Sequence, residues 1–417
     1  MSFTTQAAWI AVAALVGAGA VAGERDVYGG LVSIRGKKTG FFHVERLDGR
    51  AWLITPDGNG FLSKGINHLS FNGDRGRKTG RHEYRERVEK KYGSAKAFRG
   101  AAVDRLRAWG FNTLGAWCDD DAARLHRIPY TKILNLAAST TPGAWLEGKT
   151  ADVFSEEFSA AVRKQAENLA RPLASDPWLL GYFTDNELSF GPDWRLKTTL
   201  LERMLAFPEG APGRKEAEKA LAAHAGDSSA AAPEFAGAYA RRYFESCRDA
   251  LRAADPNHMN LGCRFAGPPA KEVAAAAAGI VDVFSVNIYS HLPDLAVIER
   301  LAAAAGAPVL VGEFAFRGRD SGLPNSRGAG PVVETQADRA SAFARFVERL
   351  LSSPHAVGYH WFEHQDEPAE GRFDGEDSNY GLVDIEDRPY AILVERMADV
   401  NARAEAVAKG ALGGFKR

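Results

Sequence analysis

The chain is poor in cysteine: its 417 residues include only Cys118, Cys247 and Cys263. An odd number without close spacing excludes a disulfide framework and a cysteine-based zinc cluster. Buried thiols are the default reading, with at most one disulfide in an oxidising compartment. Net charge is also lacking. The 52 Lys and Arg nearly cancel the 53 Asp and Glu, so no broad field exists to draw nucleic acid or an anionic membrane. A neutral, polyhydroxylated ligand fits that balance better than a polyanion. The sequence has no Walker loop, no nucleophile elbow and no Ser-His-Asp order. His355, His360 and His364 follow no ligand spacing, and no metal or other cofactor is expected.

Positive charge is missing from Met1 to Ala8 as well. Even so, residues 6–22 are almost entirely apolar or small and end in Ala-Val-Ala-Gly, which suits signal-peptidase cleavage after Ala22. The stretch is short and rich in Gly and Ala for a membrane span. Residues 1–22 are therefore expected to be a leader directing export to the periplasm or the exterior, with no stable membrane association after cleavage. An uncleaved leader or N-terminal anchor is the alternative.

With 45% hydrophobic and 25% charged residues, the remainder reads as a soluble globular chain. Residues 23–60 form an N-terminal segment, in which FFHVERLDGR and AWLITPDGNG, each closed by Asp-Gly, read as a β-hairpin. From 61 to 410, apolar runs alternate with amphipathic helical patterns, the signature of βα units around a parallel sheet. Eight runs occur: Phe61–Leu69, Phe111–Trp117, Tyr130–Leu136, Leu179–Glu187, Met259–Arg264, Val283–Ser290, Val309–Phe314 and Val357–Phe362. An open doubly wound sheet would be favoured by a Gly-rich turn after the first run, and none is present. The expected fold is a (β/α)8 TIM barrel with long loops on its C-terminal face, including an insertion at 189–233.

Hydrolysis of a glycosidic bond needs two carboxyl groups, one to protonate the leaving oxygen and one to attack or to activate water. Two runs end in such a group: GYFTDNE at Glu187 and VLVGEF at Glu313. Strand alternation then predicts which side chains point inward. It selects Ser285, Asn287 and Tyr289 on the sixth strand, and Val309, Val311 and Glu313 on the seventh. It selects Tyr359, Trp361 and Glu363 on the eighth, Asn260, Gly262 and Arg264 on the fifth, and Asn67 on the first. The resulting cup holds Asn67, Asn186, Glu187, Arg264, Tyr289, Glu313 and Trp361. Two acids, an aromatic platform and neutral donors suit a sugar ring. His68 is placed to hydrogen-bond a sugar hydroxyl, and Arg264 to orient Glu313 or balance the two carboxylates. Asp185 reads as a satisfied carboxylate or a turn former.

With Asn186-Glu187 closing the fourth strand and Glu313 the seventh, the chain resembles glycoside hydrolase clan A. Three stretches, AWLITPDGNGFLSKGIN, LLGYFTDNEL and YHWFEHQDEP followed by SNYGLVDIEDRPY, are most similar to the β-agarase group, family fifty. The resemblance implies that Tyr289 hydrogen-bonds the nucleophile and that Trp361 floors the −1 sugar site. It further implies a retaining enzyme acting on a β-linked, galactose-containing oligo- or polysaccharide. In that reading Glu313 is the nucleophile, Glu187 the general acid/base, and Asn186 the partner of the 2-hydroxyl. The negative charge of Glu313 would raise the pKa of Glu187. Long agarases usually carry an additional N-terminal β-domain, which has no counterpart in this sequence. A transglycosylase using the same residues and a non-catalytic carbohydrate-binding barrel are the rival readings.

Overall fold

A computed structural model describes residues 23–410; the expected leader lies outside the described residues. The molecule is an α/β protein built on a curled, TIM-like parallel sheet of nine short strands. In chain order these are β1 (Ser63–Ile66), β2 (Thr113–Leu114), β3 (Tyr130–Ile133), β4 (Leu179–Phe183), β5 (Met259–Asn260), β6 (Phe265–Ala266), β7 (Phe284–Asn287), β8 (Val309–Phe314) and β9 (Ala356–Trp361). Their spatial order is β6-β7-β8-β9-β1-β2-β3-β4-β5.

Of the two edge strands, β5 opens the run expected as the fifth strand, Met259–Arg264, and β6 begins one residue beyond its end. Gly262 between them takes a left-handed backbone (φ 73°), which a strand cannot continue through, so the regular ladder does not close there. The expected N-terminal hairpin is a four-stranded antiparallel sheet. Its Phe42, Leu53 and Phe61 pack with Leu180, Leu261, Val283, Leu310 and Val357, side chains inside the curl. This small sheet therefore plugs the end at which the parallel strands begin.

The helices start where side chains can satisfy their free N–H groups. Ser94 caps Ala95–Ala108, Ser155 caps Glu156–Leu169 and Asp294 caps Leu295–Ala305, while Thr335 and Asp338 form a capping box on Gln336–Leu351. In the first of these, Phe98, Ala102, Val103 and Leu106 face the core at helical spacing. The 189–233 insertion folds into Leu200–Leu205, Pro212–Ala223 and the first turn of Ser228–Ala254. All three cysteines are free thiols. Among the described residues no helix is long and apolar enough to cross a membrane.

The long loop after β9 is anchored at its far end by Asp387. Its buried carboxylate accepts from Tyr84 (2.7 Å), Tyr92 (2.7 Å), Lys91 (2.8 Å) and both terminal nitrogens of Arg105 (2.7 and 3.1 Å). Burial pushes this carboxyl up, but Arg105 and Lys91 outweigh it and hold the group well below the usual carboxylate range. A carboxyl depressed by folding adds stability above its ordinary value of 3.8 and loses it as pH falls below that. Asp387→Asn strands a largely buried cation and is expected to cost about 3–5 kcal/mol. Its Tm should lie below that of the parent at pH 7, and the gap should narrow in acid. Equal Tm values at pH 7 would show that the anchor is dispensable.

Candidate active site

The ends of the strands surround a cavity of about 650 Å³. Four successive strand ends reach it through non-glycine residues in the left-handed region: His68 (φ 57°), Trp117 (φ 65°), Asn135 (φ 50°) and Glu187 (φ 50°). All four line the cavity. This conformation costs of order 1–3 kcal/mol per residue and is kept where the surroundings over-determine it. Here it turns each side chain off its strand and into the cleft.

Glu313 arrives by a different device. On one side of β8, Val311 pairs with Val286 while Glu313 pairs with Asn287. On the other side, Val311 pairs with Tyr359 and Phe314 with Trp361. One residue, Gly312, is extra against both neighbours, so β8 carries a β-bulge. Ahead of the bulge Leu310 faces the interior, and Val309 and Val311 pack toward the helices. The expected inward set Val309-Val311-Glu313 is thus wrong for its first two members, and Glu313 reaches the interior because the bulge resets the alternation. A side chain on Gly312 would meet Asn287 Oδ1 at 2.9 Å.

Beneath the cavity lies Arg264, fully buried. Its guanidinium sits 2.7 Å from Glu313 Oε1 and donates to Asn186 Oδ1 (3.0 Å) and the Gly312 carbonyl (2.8 Å), while stacking over Phe183. Tyr289 donates its hydroxyl to Glu313 Oε2 (2.8 Å). Glu187 accepts from Asn287 Nδ2 (2.8 Å) and Trp145 Nε1 (3.1 Å). The two glutamates, Asn186, His68 and Tyr289 all line the one cavity.

Besides Arg264, two more of the expected residues lie outside the cavity lining. Asn67 is fully buried, donating to the Gly312 and Trp361 carbonyls and accepting from Ala116 N, so it clasps strands beneath the floor. Trp361 is also fully buried and faces the helices: it packs on Phe314, Phe316 and Phe343, and its Nε1 donates to the Tyr380 carbonyl. The expected parity of β9 was off by one. His360, which bonds Ser63 Oγ, points inward, and Phe362 lines the cavity in place of Trp361. On the fifth run, the kink at Gly262 breaks the alternation, so Leu261 and Arg264 both face in, and Asn260 instead bonds the Ile280 carbonyl. Asp185 is a satisfied carboxylate, accepting from Ala137 N, Ala138 N and Tyr243.

Loops supply what strand reasoning did not reach: Asp74, Trp145, Arg372, Phe373 and Glu376. Arg372 was not expected among the inward cations, but it is not free. It pairs with Glu367 (3.2 Å), Asp374 (2.9 Å) and Glu376 (2.7 Å). Of the other loop arginines, Arg317 is buried and ties Ser378 to Gly330, Arg319 pairs with Glu334 at the surface, and Arg327 lines a second pocket. The three histidines weighed as ligands diverge: His364 contacts Arg105 and Gln365, and His355 contacts Arg46.

Burial pushes the Glu313 carboxyl up to about 7, with Arg264 and the Tyr289 hydroxyl pulling against it and Glu187 adding to it. For His68, burial is outweighed by Glu363 and Asp74, and its pKa rises to about 9.

No family model matches the chain. Among curated proteins it is 27% identical to β-agarase B of Vibrio sp. (strain JT0107) over 90% of this chain and 50% of that protein. It is 30% identical to β-agarase A of the same strain over 76% of this chain and 37% of that protein. The chain thus spans half or less of the length of these relatives. Among solved structures, an exo-β-agarase superposes with a TM-score of 0.81 at 25% identity, covering 93% of this chain and 68% of that one.

If Glu313 must be ionised to act, its raised pKa puts the acidic limb of activity well above the ordinary 4.5, toward about 7. Activity then rises with pH through that limb. Tyr289→Phe removes a hydrogen bond to the charged form, worth about 1.5–3 kcal/mol, and should move the limb up by about one pH unit or more. The kcat/KM profile of both proteins on an activated aryl glycoside tests this. A limb that stays near 4.5 in each would separate Glu313 from the reaction.

Proposed function

We propose that this protein is a retaining glycoside hydrolase that cleaves β-linked, galactose-containing poly- or oligosaccharides of the agarose type. The observation carrying the proposal is the unequal placing of the two glutamates. Glu313 lines only the inner cavity, whereas Glu187 lines both that cavity and an outer pocket of about 700 Å³ bordered by Trp145, Leu146 and Trp194. A glycosidic oxygen belongs at the junction of glycone and aglycone sites, and the acid that protonates it belongs there too. The nucleophile belongs under the glycone ring, and Glu313 has the fixed cation and the phenol expected for one.

In the mechanism, Glu313 attacks the anomeric carbon while Glu187 protonates the departing oxygen. Glu187 then takes a proton from water, which releases the sugar with its configuration retained. Asn186, whose oxygen is occupied by Arg264, is left with its amide N–H groups for the 2-hydroxyl. Phe362, Phe373 and Trp145 provide the apolar faces that a sugar ring stacks on. The similarity to two β-agarases supports a galactan substrate. So does the cleft's charge, since Arg372 is neutralised by its own carboxylates. Export through residues 1–22 would bring the enzyme to such a polymer.

We read the curled sheet as a variant of the eight-stranded barrel of the clan A kind, with its ladder interrupted at Gly262. The split fifth run keeps hydrogen bonds on both sides, Leu261 N to Tyr182 O and Arg264 N to Asp185 O on one, and Asp282 N to Asn260 O and Gly267 N to Asn287 O on the other.

Glu313→Gly should abolish turnover, and added azide should yield a glycosyl azide of inverted configuration. Glu187→Ala should spare substrates with good leaving groups, and with azide it should give the retained product. Exchanged stereochemistry would reverse the two roles. Turnover by neither the parent protein nor its azide-treated variants on any galactan or aryl β-galactoside would favour a binding barrel. Agaro-oligosaccharides should be cleaved faster than sulfated galactans or uronate polymers. The opposite preference, lost in Arg327→Ala, would overturn the neutral substrate while leaving the mechanism standing.

A further inference from the structure

In the cavity wall, His68, Asp74 and Glu363 converge from three places in the chain: the end of β1, the loop that follows it, and the residue two beyond β9. One ligand atom from each lies within 4.8 Å of the others. His68 Nδ1 is in hydrogen-bond contact with Glu363 Oε2 and 3.7 Å from Asp74 Oδ2. Glu363 is fully out of solvent and Asp74 nearly so, with side-chain exposures of 0% and 9%. Each keeps one buried oxygen, Asp74 Oδ2 and Glu363 Oε1, without a hydrogen-bond partner. Leaving a buried carboxylate oxygen unpaired is costly unless a positive charge faces it. The imidazole of His68 faces both carboxylates, and Arg372, whose ion pairs are with Glu367, Asp374 and Glu376, acts on them only through space.

We propose that His68, Asp74 and Glu363 form a divalent-cation site in the wall of the cleft. One imidazole with two carboxylates is a donor set for a borderline ion such as Mn²⁺ or Zn²⁺ rather than for Mg²⁺, which prefers oxygen alone. Three protein ligands leave coordination positions open toward the cavity, where water or a sugar hydroxyl can complete the shell. The site rests on side-chain geometry alone and is independent of the reaction assigned to Glu187 and Glu313. An ion there would tie the loop bearing Asp74 to β1 and to the loop after β9.

The test uses the full chain stripped with EDTA, then titrated calorimetrically with MnCl2, ZnCl2, CaCl2 and MgCl2 in turn, with Tm and bound metal per chain measured in parallel. One Mn²⁺ or Zn²⁺ per chain is expected, with a raised Tm. Asp74→Asn, on a loop and therefore mild for folding, and Glu363→Gln should each weaken affinity roughly 100-fold, since loss of even an outer partner of a metal ligand costs about 10–100-fold. Their circular dichroism should match the parent. No binding by the parent at millimolar ion, or undiminished binding in either variant, would overturn the site. None of these readouts needs turnover, so their failure would leave the hydrolase proposal untouched.

Discussion

The structure around the cleft depends on one buried charge, the guanidinium of Arg264. A cation with no solvent access is tolerable only if its partners are close and well aimed. Here they come from three strand ends: Asn186 beyond β4, and Gly312 and Glu313 on β8, with Asn67 beyond β1 also within 3.4 Å. Removing one partner of such a set costs about 3–5 kcal/mol, because the remaining charge is stranded. The positions of Asn186 and Glu313 are therefore coupled through a group that no substrate can touch.

That coupling explains the two backbone irregularities beside it. For Arg264 to point inward, the run that carries it must change face, and the left-handed Gly262 makes the change. For Glu313 to meet the guanidinium, β8 needs its own reset, which the bulge at Gly312 provides. Both irregularities are glycines, and both fall within two residues of a charged member of the site. They also explain how far the sequence could be read. Alternation succeeded on β7, where no irregularity occurs and Ser285, Asn287 and Tyr289 all point inward. On β8 it reached Glu313 through a parity that the strand does not keep. On β9 it chose Trp361 over Phe362, because a tryptophan among polar neighbours reads as a platform when its helix-side packing partners, Phe314 and Phe343, are distant in sequence.

The loop residues were beyond such reasoning for a simpler reason. Period-two arguments need a strand, and Asp74, Trp145, Arg372, Phe373 and Glu376 sit on segments with no period. Their positions are set by long-range pairs. Asp387 joins the loop after β9 to the helical pair at 83–108, and Ser378 is bound to both Glu367 and Arg317. The segment 366–387 is rich in acidic residues, but composition does not reveal that Arg372 consumes the charge of three of its carboxylates.

That consumption matters for the chemistry. Glu187 and Glu313 act as a pair only if the field around them is set by a few fixed neighbours, because each unit of pKa shift is about 1.4 kcal/mol. Five further carboxylates, at 74, 363, 367, 374 and 376, stand in or behind the same wall, and left bare they would add negative charge to it. Arg372 offsets those at 367, 374 and 376, while His68 faces those at 74 and 363. Glu313 then responds chiefly to its own burial, to Arg264 and to Glu187. This arrangement supports the neutral ligand proposed above. An anionic sugar would have to compete with resident carboxylates for cations already engaged, whereas hydroxyl groups need only the neutral amides and aromatic faces that remain.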